Sequence, residues 1–395
     1  MNYLLKILDR KKSLFAYDIN KYNFLLKKII RKSRFLIIGG AGSIGQATTK
    51  EIFKRNPKLL HVVDINENNL VELVRDLRSG IGYIDGEFKT YCLDCGSIQF
   101  EQLVKKNKNY DYVINLSALK HVRSERDTFT LSRMLEVNVL NVIKHLKIFQ
   151  KLKIKKYFCV SSDKATNPVN FMGASKRIME IFLTSKKNSF DVSLARFANV
   201  LFSDGSLLHG FNKRLEKNQP ITAPNDVRRY FITPQEAGEL CMISCIIGKN
   251  NELYFPNDRK NLKFMTFSDL AKKFLKLKGY IAKEQQSENE ARKFFRFKNS
   301  VKFWPCYFFK SDTSGEKDEE EFYEDIKKVN FNIFKNIGII NLESKLTMQN
   351  LNNFKKDLKK LIYKNKNKDE FNNLFKKILI NFSHIEKNKS LDEKM

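Results

Sequence analysis

The sequence is poor in cysteine and proline, has a single tryptophan, lacks long apolar runs, and is short of acid. Six cysteines in 395 residues, at positions 92, 95, 159, 241, 245 and 306, are too few for a disulfide scaffold. Cys92-x-x-Cys95 has no second pair at zinc-ribbon spacing, so no metal site is expected. Three of the cysteines lie in apolar runs and read as small core residues of a reducing, cytoplasmic compartment. No stretch reaches the roughly 18 apolar residues of a membrane span, and the N-terminus lacks a signal-peptide pattern. The 44 acidic residues face 73 basic ones, for a formal charge of +29. Lys outnumbers Arg, and Arg is the residue of bidentate phosphate and base recognition. The excess therefore reads as a solvated surface, with no nucleic-acid partner.

What is present suits a globular enzyme-sized chain: 42% hydrophobic and 12% aromatic residues, with length for one large or two ordinary domains. Residues 1–33 form a basic leader with apolar positions at helical spacing (Leu4, Leu5, Ile7, Leu8, then Phe24 to Ile30). It is expected to pack on the core or on a neighbouring subunit; contact with a membrane surface is the less favoured reading. Phe35 to Ile38 is a buried-strand run, followed by Gly39-Gly40-Ala41-Gly42-Ser43-Ile44-Gly45 and a helix to about Arg55. Between strand and helix these glycines permit a tight turn and let backbone amides approach a pyrophosphate at the helix N-terminus. The second strand ends in Asp64, about twenty residues on, where a carboxylate accepts ribose hydroxyls and repels a 2′-phosphate. NAD is thus expected over NADP.

A third strand is expected to close at Leu93-Asp94, with Asp94 near the adenine. A fourth, Tyr112 to Ala118, runs into Lys120 and His121, and a helix from Arg133 to Gln150 carries Asn138. Strand and helix alternate, which predicts a parallel sheet covered on both faces. The fifth strand, Tyr157 to Ser161, turns abruptly into Ser162-Asp163-Lys164. An acid beside a base at the carboxyl end of a buried strand is placed where open α/β sheets transform their ligands. The crossover helix is expected over Arg177 to Thr184, and Asn199 follows the next strand as a candidate substrate ligand. Arg228 and Arg229 are candidate diphosphate ligands, only one of which need face the ligand. A helix is expected from Thr233-Pro234 through Cys241, and another over Phe267 to Lys278 with Ser268 as N-cap. Ser311 to Glu321 reads as a loop opening an acidic helical turn, and residues 351–382 as a helical hairpin for packing or oligomerisation.

Gly39-x-x-Gly42-x-x-Gly45, Asp64, Asn115-Leu116-Ser117-Ala118, Ser162-Asp163-Lys164 and Lys176 together resemble an extended short-chain dehydrogenase/reductase. Ala118-Leu119-Lys120-His121-Val122, Met172-Gly173-Ala174-Ser175-Lys176, Arg196-Phe197-Ala198-Asn199-Val200 and Arg228-Arg229-Tyr230-Phe231 are similar to one subgroup of it, the nucleotide-sugar 4,6-dehydratases. These act on UDP-N-acetylglucosamine or close relatives in surface-polysaccharide synthesis. The run after Ser311 resembles soluble dehydratases of legionaminic-type pathways.

The resemblance implies a Rossmann-like, doubly wound parallel sheet (34–200), a smaller C-terminal α/β substrate domain (201–340) with some chain returning to the sheet, and helical extensions (1–33 and 341–395), in a homo-oligomer. It also implies a chemistry: oxidation at C4 by NAD, loss of water across C5 and C6, and hydride return to C6. Lys164 would be the C5 base and Asp163 the acid on the leaving hydroxyl. Gly39, Gly42, Ser43, Ile44, Gly45, Asp64, Asp94, Ala118, Asn138 and Lys176 would serve the cofactor, and Lys120, His121, Asn199, Arg228 and Arg229 the substrate. The family's Tyr-x-x-x-Lys has Met172 in place of tyrosine, and a thioether cannot transfer a proton. A branch of the dehydratases shares this Met and retains configuration at C5; there the C4 proton leaves by Ser162, Lys176 or water. Two alternatives stand beside this reading: an epimerase of the same fold, and a catalytically silent basic protein that binds RNA or membrane.

Overall fold

The computed structural model describes residues 3–384, apart from 186–187, 260–261, 297–301, 313–316, 318, 320, 345 and 381. Six short runs form the parallel strands β1 (Arg34–Ile38), β2 (Leu59–Asp64), β3 (Glu87–Cys92), β4 (Tyr112–Asn115), β5 (Lys156–Val160) and β6 (Asp191–Ala195). They lie in the order β3-β2-β1-β4-β5-β6. Glu252–Pro256 extends the sheet in parallel beside β6, and Ile337–Asn341 and Val329–Asn330 close it with antiparallel edges. β1 buries four of five residues and β5 all five, because helices cover both faces. Each fully covered Leu, Ile or Phe contributes roughly 1.5–3 kcal/mol. The strand order reverses between β1 and β4, and the crevice at that switch point opens at the carboxyl edge. The fold is the Rossmann-like α/β class expected.

Helix Ser43–Phe53 packs closely on helix Pro234–Ile246: a Cβ on Gly238 would lie 2.6 Å from the Ala47 carbonyl. The latter helix starts with Pro234 in its first turn and a reciprocal cap, Thr233 Oγ1 accepting from Glu236 N–H while the Glu236 carboxylate accepts from Thr233 N–H. Two small three-stranded sheets lie beyond β6. One joins Asn199–Val200, Arg228–Ile232 and Phe264–Thr266; the other joins Ile221–Pro224, Phe303–Phe309 and Ile281–Glu284.

The leader folds onto the body. Leu26 and Ile30 of helix Ala16–Lys32 enter the main core, and Ile7 and Leu8 join a second cluster with Phe274 and Trp304. Arg10 pairs with Glu236 at 3.0 Å, and Ser13 Oγ donates to Glu239. At the other end, helices Met348–Tyr363 and Lys368–Lys376 make the expected hairpin. Its Leu351, Phe354, Leu358, Phe371, Leu374, Phe375 and Ile378 form one cluster with Phe171, Met172 and Ile178.

Several boundaries differ from expectation. β3 stops at Cys92, leaving Asp94 in a loop, and β4 stops at Asn115, so Leu116 to Ala118 are irregular. The helix expected at Arg133 starts at Thr128, with Asp127 as its cap, and widens into a π-turn over Glu136–Leu140. The crossover helix starts at Phe171 rather than Arg177, because Asn170 Oδ1 accepts from Gly173 N–H and its carbonyl from Ala174 N–H. Thr266, not Ser268, caps helix Phe267–Leu277; its hydroxyl accepts from Asp269 N–H. The described residues of 311–321 form no helix, and 313–316, 318 and 320 lie outside them.

Candidate active site

The glycine turn is built by contact. Gly39 has φ +74°, and a Cβ there would sit 2.7 Å from Ser117 N; on Gly45 it would sit 2.1 Å from Gly39 O. Both positions therefore exclude side chains. A Cβ on Gly42 would meet only Gly39 O, at 3.9 Å. That open side faces away from the turn just before Ser43 begins the helix, a cradle into which a pyrophosphate fits. Asp64, half-buried at the end of β2, pins the turn: its carboxylate accepts from Ala41 N–H at 2.9 Å and Asn66 N–H at 3.0 Å. A carboxylate has about four lone-pair sites, so it can still accept ribose hydroxyls. Ile44 is half-buried against the core, and Ser43 Oγ accepts from Asp204 N–H at 2.8 Å.

Asp94 is taken by Arg133 at 2.6 Å and Gly96 N–H at 2.7 Å; desolvation works upward on its pKa, but these bonds outweigh it and lower it. Asn138, expected at the cofactor, bonds within the protein. It sits on the π-turn, a local widening that often marks functional sites. Its amide accepts from Leu119 N–H and donates to Leu119 O and to Ser175 Oγ. Those bonds clip the loop from Ala118 to His121 against the crossover helix. Beyond the clip, Lys120 is exposed toward Asp204; desolvation lowers its pKa and Asp204 opposes that. His121, its pKa lowered by desolvation and by Lys120, packs on Gly205, where a Cβ would lie 2.7 Å from Nε2.

The acid and base stand at the end of β5. Asp163 is 4% exposed, and its Oδ1 accepts from Ser162 Oγ at 2.9 Å, Lys164 N–H at 2.9 Å and Lys164 Nζ at 3.3 Å. Lys164 keeps a fifth of its side chain exposed. Gly173 lies directly behind this turn: a Cβ there would be 2.2 Å from Lys164 O. Lys176, one turn on, is buried and donates to Val160 O at 3.0 Å; desolvation lowers its pKa, against the pull of Cys159 and Glu180. Met172 is 3% exposed, at the helix start.

A buried network that the sequence reading missed fixes this edge. Glu180 accepts from Ser161 Oγ at 2.6 Å and from Arg196 Nε and Nη2 at 2.8 and 2.6 Å. Arg196 Nη1 donates to Thr166 Oγ1 and Phe322 O. Desolvation favours the neutral carboxyl of Glu180, but Arg196 prevails and lowers its pKa. Asn199 Nδ2 is buried without a hydrogen-bond partner, an uncompensated donor in a segment next to the site. Of the two arginines, Arg228 is exposed, whereas Arg229 is buried and donates to the carbonyls of Arg228 and Lys317. Among the described residues no His, Cys, Asp or Glu cluster could hold a metal ion, and no helix is long and apolar enough to cross a membrane.

Residues 35–298 match the family described as polysaccharide biosynthesis protein. The chain belongs to that family. Among its relatives, the uncharacterized membrane protein MJ1061 of Methanocaldococcus jannaschii is 30% identical over 262 residues, 63% of this chain and 75% of that protein. The capsular polysaccharide biosynthesis protein CapD of Staphylococcus aureus is 28% identical over 262 residues, 65% of this chain; the match spans only 42% of CapD. The solved structure of Pen from Bacillus thuringiensis has the same fold, with TM-score 0.63 at 23% identity over 80% of this chain and 89% of Pen.

Proposed function

We propose that the protein is an NAD-dependent 4,6-dehydratase of a nucleotide-activated N-acetylhexosamine, UDP-N-acetylglucosamine above all, with retention at C5. The observation that carries this reading is the Asp163–Lys164 pair, held 3.3 Å apart at the end of β5. Elimination of water needs a base at C5 and an acid at the C6 hydroxyl, and a C4 epimerase needs neither.

Gly39, Gly42, Ser43, Ile44, Gly45, Asp64 and Ala118 would hold NAD, and Lys176 its nicotinamide ribose. When bound, NAD supplies hydride acceptance from C4 and its return to C6. With the proton of the pair on Asp163, Lys164 takes the C5 proton and returns one there when hydride reaches C6. Asp163 protonates the departing hydroxyl, and the C4 hydroxyl proton leaves by Ser162, Lys176 or water. Ser162 Oγ, already donating to Asp163, holds that carboxyl in place. Arg228 and Lys120, both exposed, would meet diphosphate charge, and Asn199 Nδ2, buried without a partner, would donate to the sugar. Arg229 is assigned instead to the fold, tying its strand to Lys317 O.

The test is incubation with UDP-N-acetylglucosamine and NAD, followed by mass and proton NMR. Loss of one water with a 4-keto-6-deoxy product supports the assignment. A product of unchanged mass, epimeric at C4, identifies an epimerase. Unchanged substrate across UDP-, GDP- and dTDP-sugars, with strongly salt-dependent binding to RNA or vesicles, identifies a silent binding protein.

A further inference from the structure

We propose that the C-terminal segment is a working part of this site, with His384 and Glu125 acting as positioning residues for the helix that carries Met172 and Lys176. This rests on the dehydratase reading only for the reaction it affects. The family match ends at residue 298, so His384 lies 86 residues beyond it (384 − 298). Yet His384 Nε2 reaches Glu125 Oε2 at 3.1 Å, across 259 positions of sequence. Glu125 Oε1 in turn accepts from Met172 N–H at 2.7 Å.

Both side chains are nearly covered, 10% exposed for His384 and 7% for Glu125. Phe171 lies against the His384 ring with centroids 4.5 Å apart, and Phe382 against Phe171 at 5.7 Å. The hairpin before this segment shares one apolar cluster with Phe171 and Met172, so the tail cannot leave without opening that packing.

The chemistry of the contact explains its use. The first amides of a helix have no partner within it, and Met172 N–H is one of them. Glu125 supplies the acceptor from the short turn that follows Lys120 and His121. A buried carboxylate with one unmatched oxygen would turn toward solvent. His384 occupies that oxygen and fixes the rotamer; an imidazole N–H can donate to it whether the ring is neutral or charged. With the Asn138 clip to Ser175, the loop from Leu119 to Glu125 is fastened to the crossover helix at two points. The register of Met172 and Lys176 relative to Asp163 and Lys164 depends on both.

The test uses the full chain with His384→Ala, His384→Gln and Glu125→Gln. Hydrogen–deuterium exchange of the peptide spanning Met172 is expected to rise at least tenfold in His384→Ala and return toward wild type in His384→Gln, whose amide can still donate. NAD affinity is expected to fall by less than about tenfold, because the glycine turn and Asp64 are untouched and only the Lys176 contact to the nicotinamide ribose shifts. Turnover of the nucleotide sugar is expected to fall about 10- to 100-fold in kcat, the scale of a displacement near 1 Å, with KM within about threefold. Unchanged exchange at Met172 in His384→Ala overturns the proposal even if no sugar is ever turned over. So does a Gln variant no better than Ala, which would mean that the ring only fills space. If exchange responds while wild type turns over no nucleotide sugar, the positioning role stands and the dehydratase reading falls.

Discussion

Gly173→Ala isolates the geometry of the acid–base turn. The helix would welcome the change, since Ala is favoured over Gly in a helix interior by about 0.8–1 kcal/mol. The added methyl, however, would lie 2.2 Å from Lys164 O, 3.0 Å from Lys164 C and 3.1 Å from Asn170 Oδ1. The first contact requires a separation of about 1 Å more, and a backbone carbonyl cannot swing aside as a long side chain can. Either Asp163–Ala165 moves outward or the helix start moves back, and overpacking of this kind costs about 1–3 kcal/mol. Stability should therefore fall by up to about 2 kcal/mol once the helix gain is subtracted. Turnover should fall about a hundredfold, because a 1 Å misplacement of Lys164 removes its alignment with C5. Denaturant unfolding, NAD binding and water loss from the nucleotide sugar measure the three effects separately. A variant about 1 kcal/mol more stable than wild type, with turnover within twofold, would refute the reasoning.

Other substitutions probe other parts of the site. Lys164→Ala should abolish solvent deuterium exchange at C5 while leaving NAD affinity within threefold; persistent exchange would remove Lys164 from the role of base. Asp64→Ser should weaken NAD about tenfold or more, the worth of hydrogen bonds to a charged acceptor, and narrow its preference over NADP in paired titrations. Glu180→Gln leaves the Arg196 charge uncompensated in the interior and should cost about 3–5 kcal/mol in denaturant unfolding; a loss under 1 kcal/mol would show the network to be slack. Glu239 is pushed up to about 7 by burial, with Ser13 and Gln235 bonds only partly opposing this. A carboxyl raised in the folded state binds more protons folded than unfolded, so stability should drop as pH rises from about 4.5 to 7 and level off above. The drop is about 3 kcal/mol at 1.36 kcal/mol per unit, and Glu239→Gln should flatten it in pH-dependent unfolding.

How much of this was legible in the sequence depended on how local each device is. The glycine turn, Asp64 and the Asp163–Lys164 pair are set by neighbours in sequence, so pattern reading found them. The Thr233–Pro234 helix start is equally local and appears as read. The crossover helix was read six residues short; Gly173 lowers helix propensity near its start, and Asn170, its cap, looks like any loop residue. The bonds of Asn138 to Leu119 and Ser175 span 19 and 37 residues, and no periodicity announces them. Arg229 was read as a phosphate ligand by charge, but its place in the strand turns it inward, onto Lys317 O. Glu180–Arg196 and Glu125–His384 are contacts of topology, and only the assembled sheet and hairpin bring them together.

The central claim is that Asp163 and Lys164 eliminate water between C5 and C6 of a nucleotide sugar. The direct measurement is proton NMR of UDP-N-acetylglucosamine with enzyme and NAD in deuterium oxide. A product lighter by one water once its deuterium is allowed for, with a 4-keto group, a C6 methyl and deuterium at C5, is the predicted result. A C4 epimer of unchanged mass, or a product carrying its original C5 proton, would contradict it.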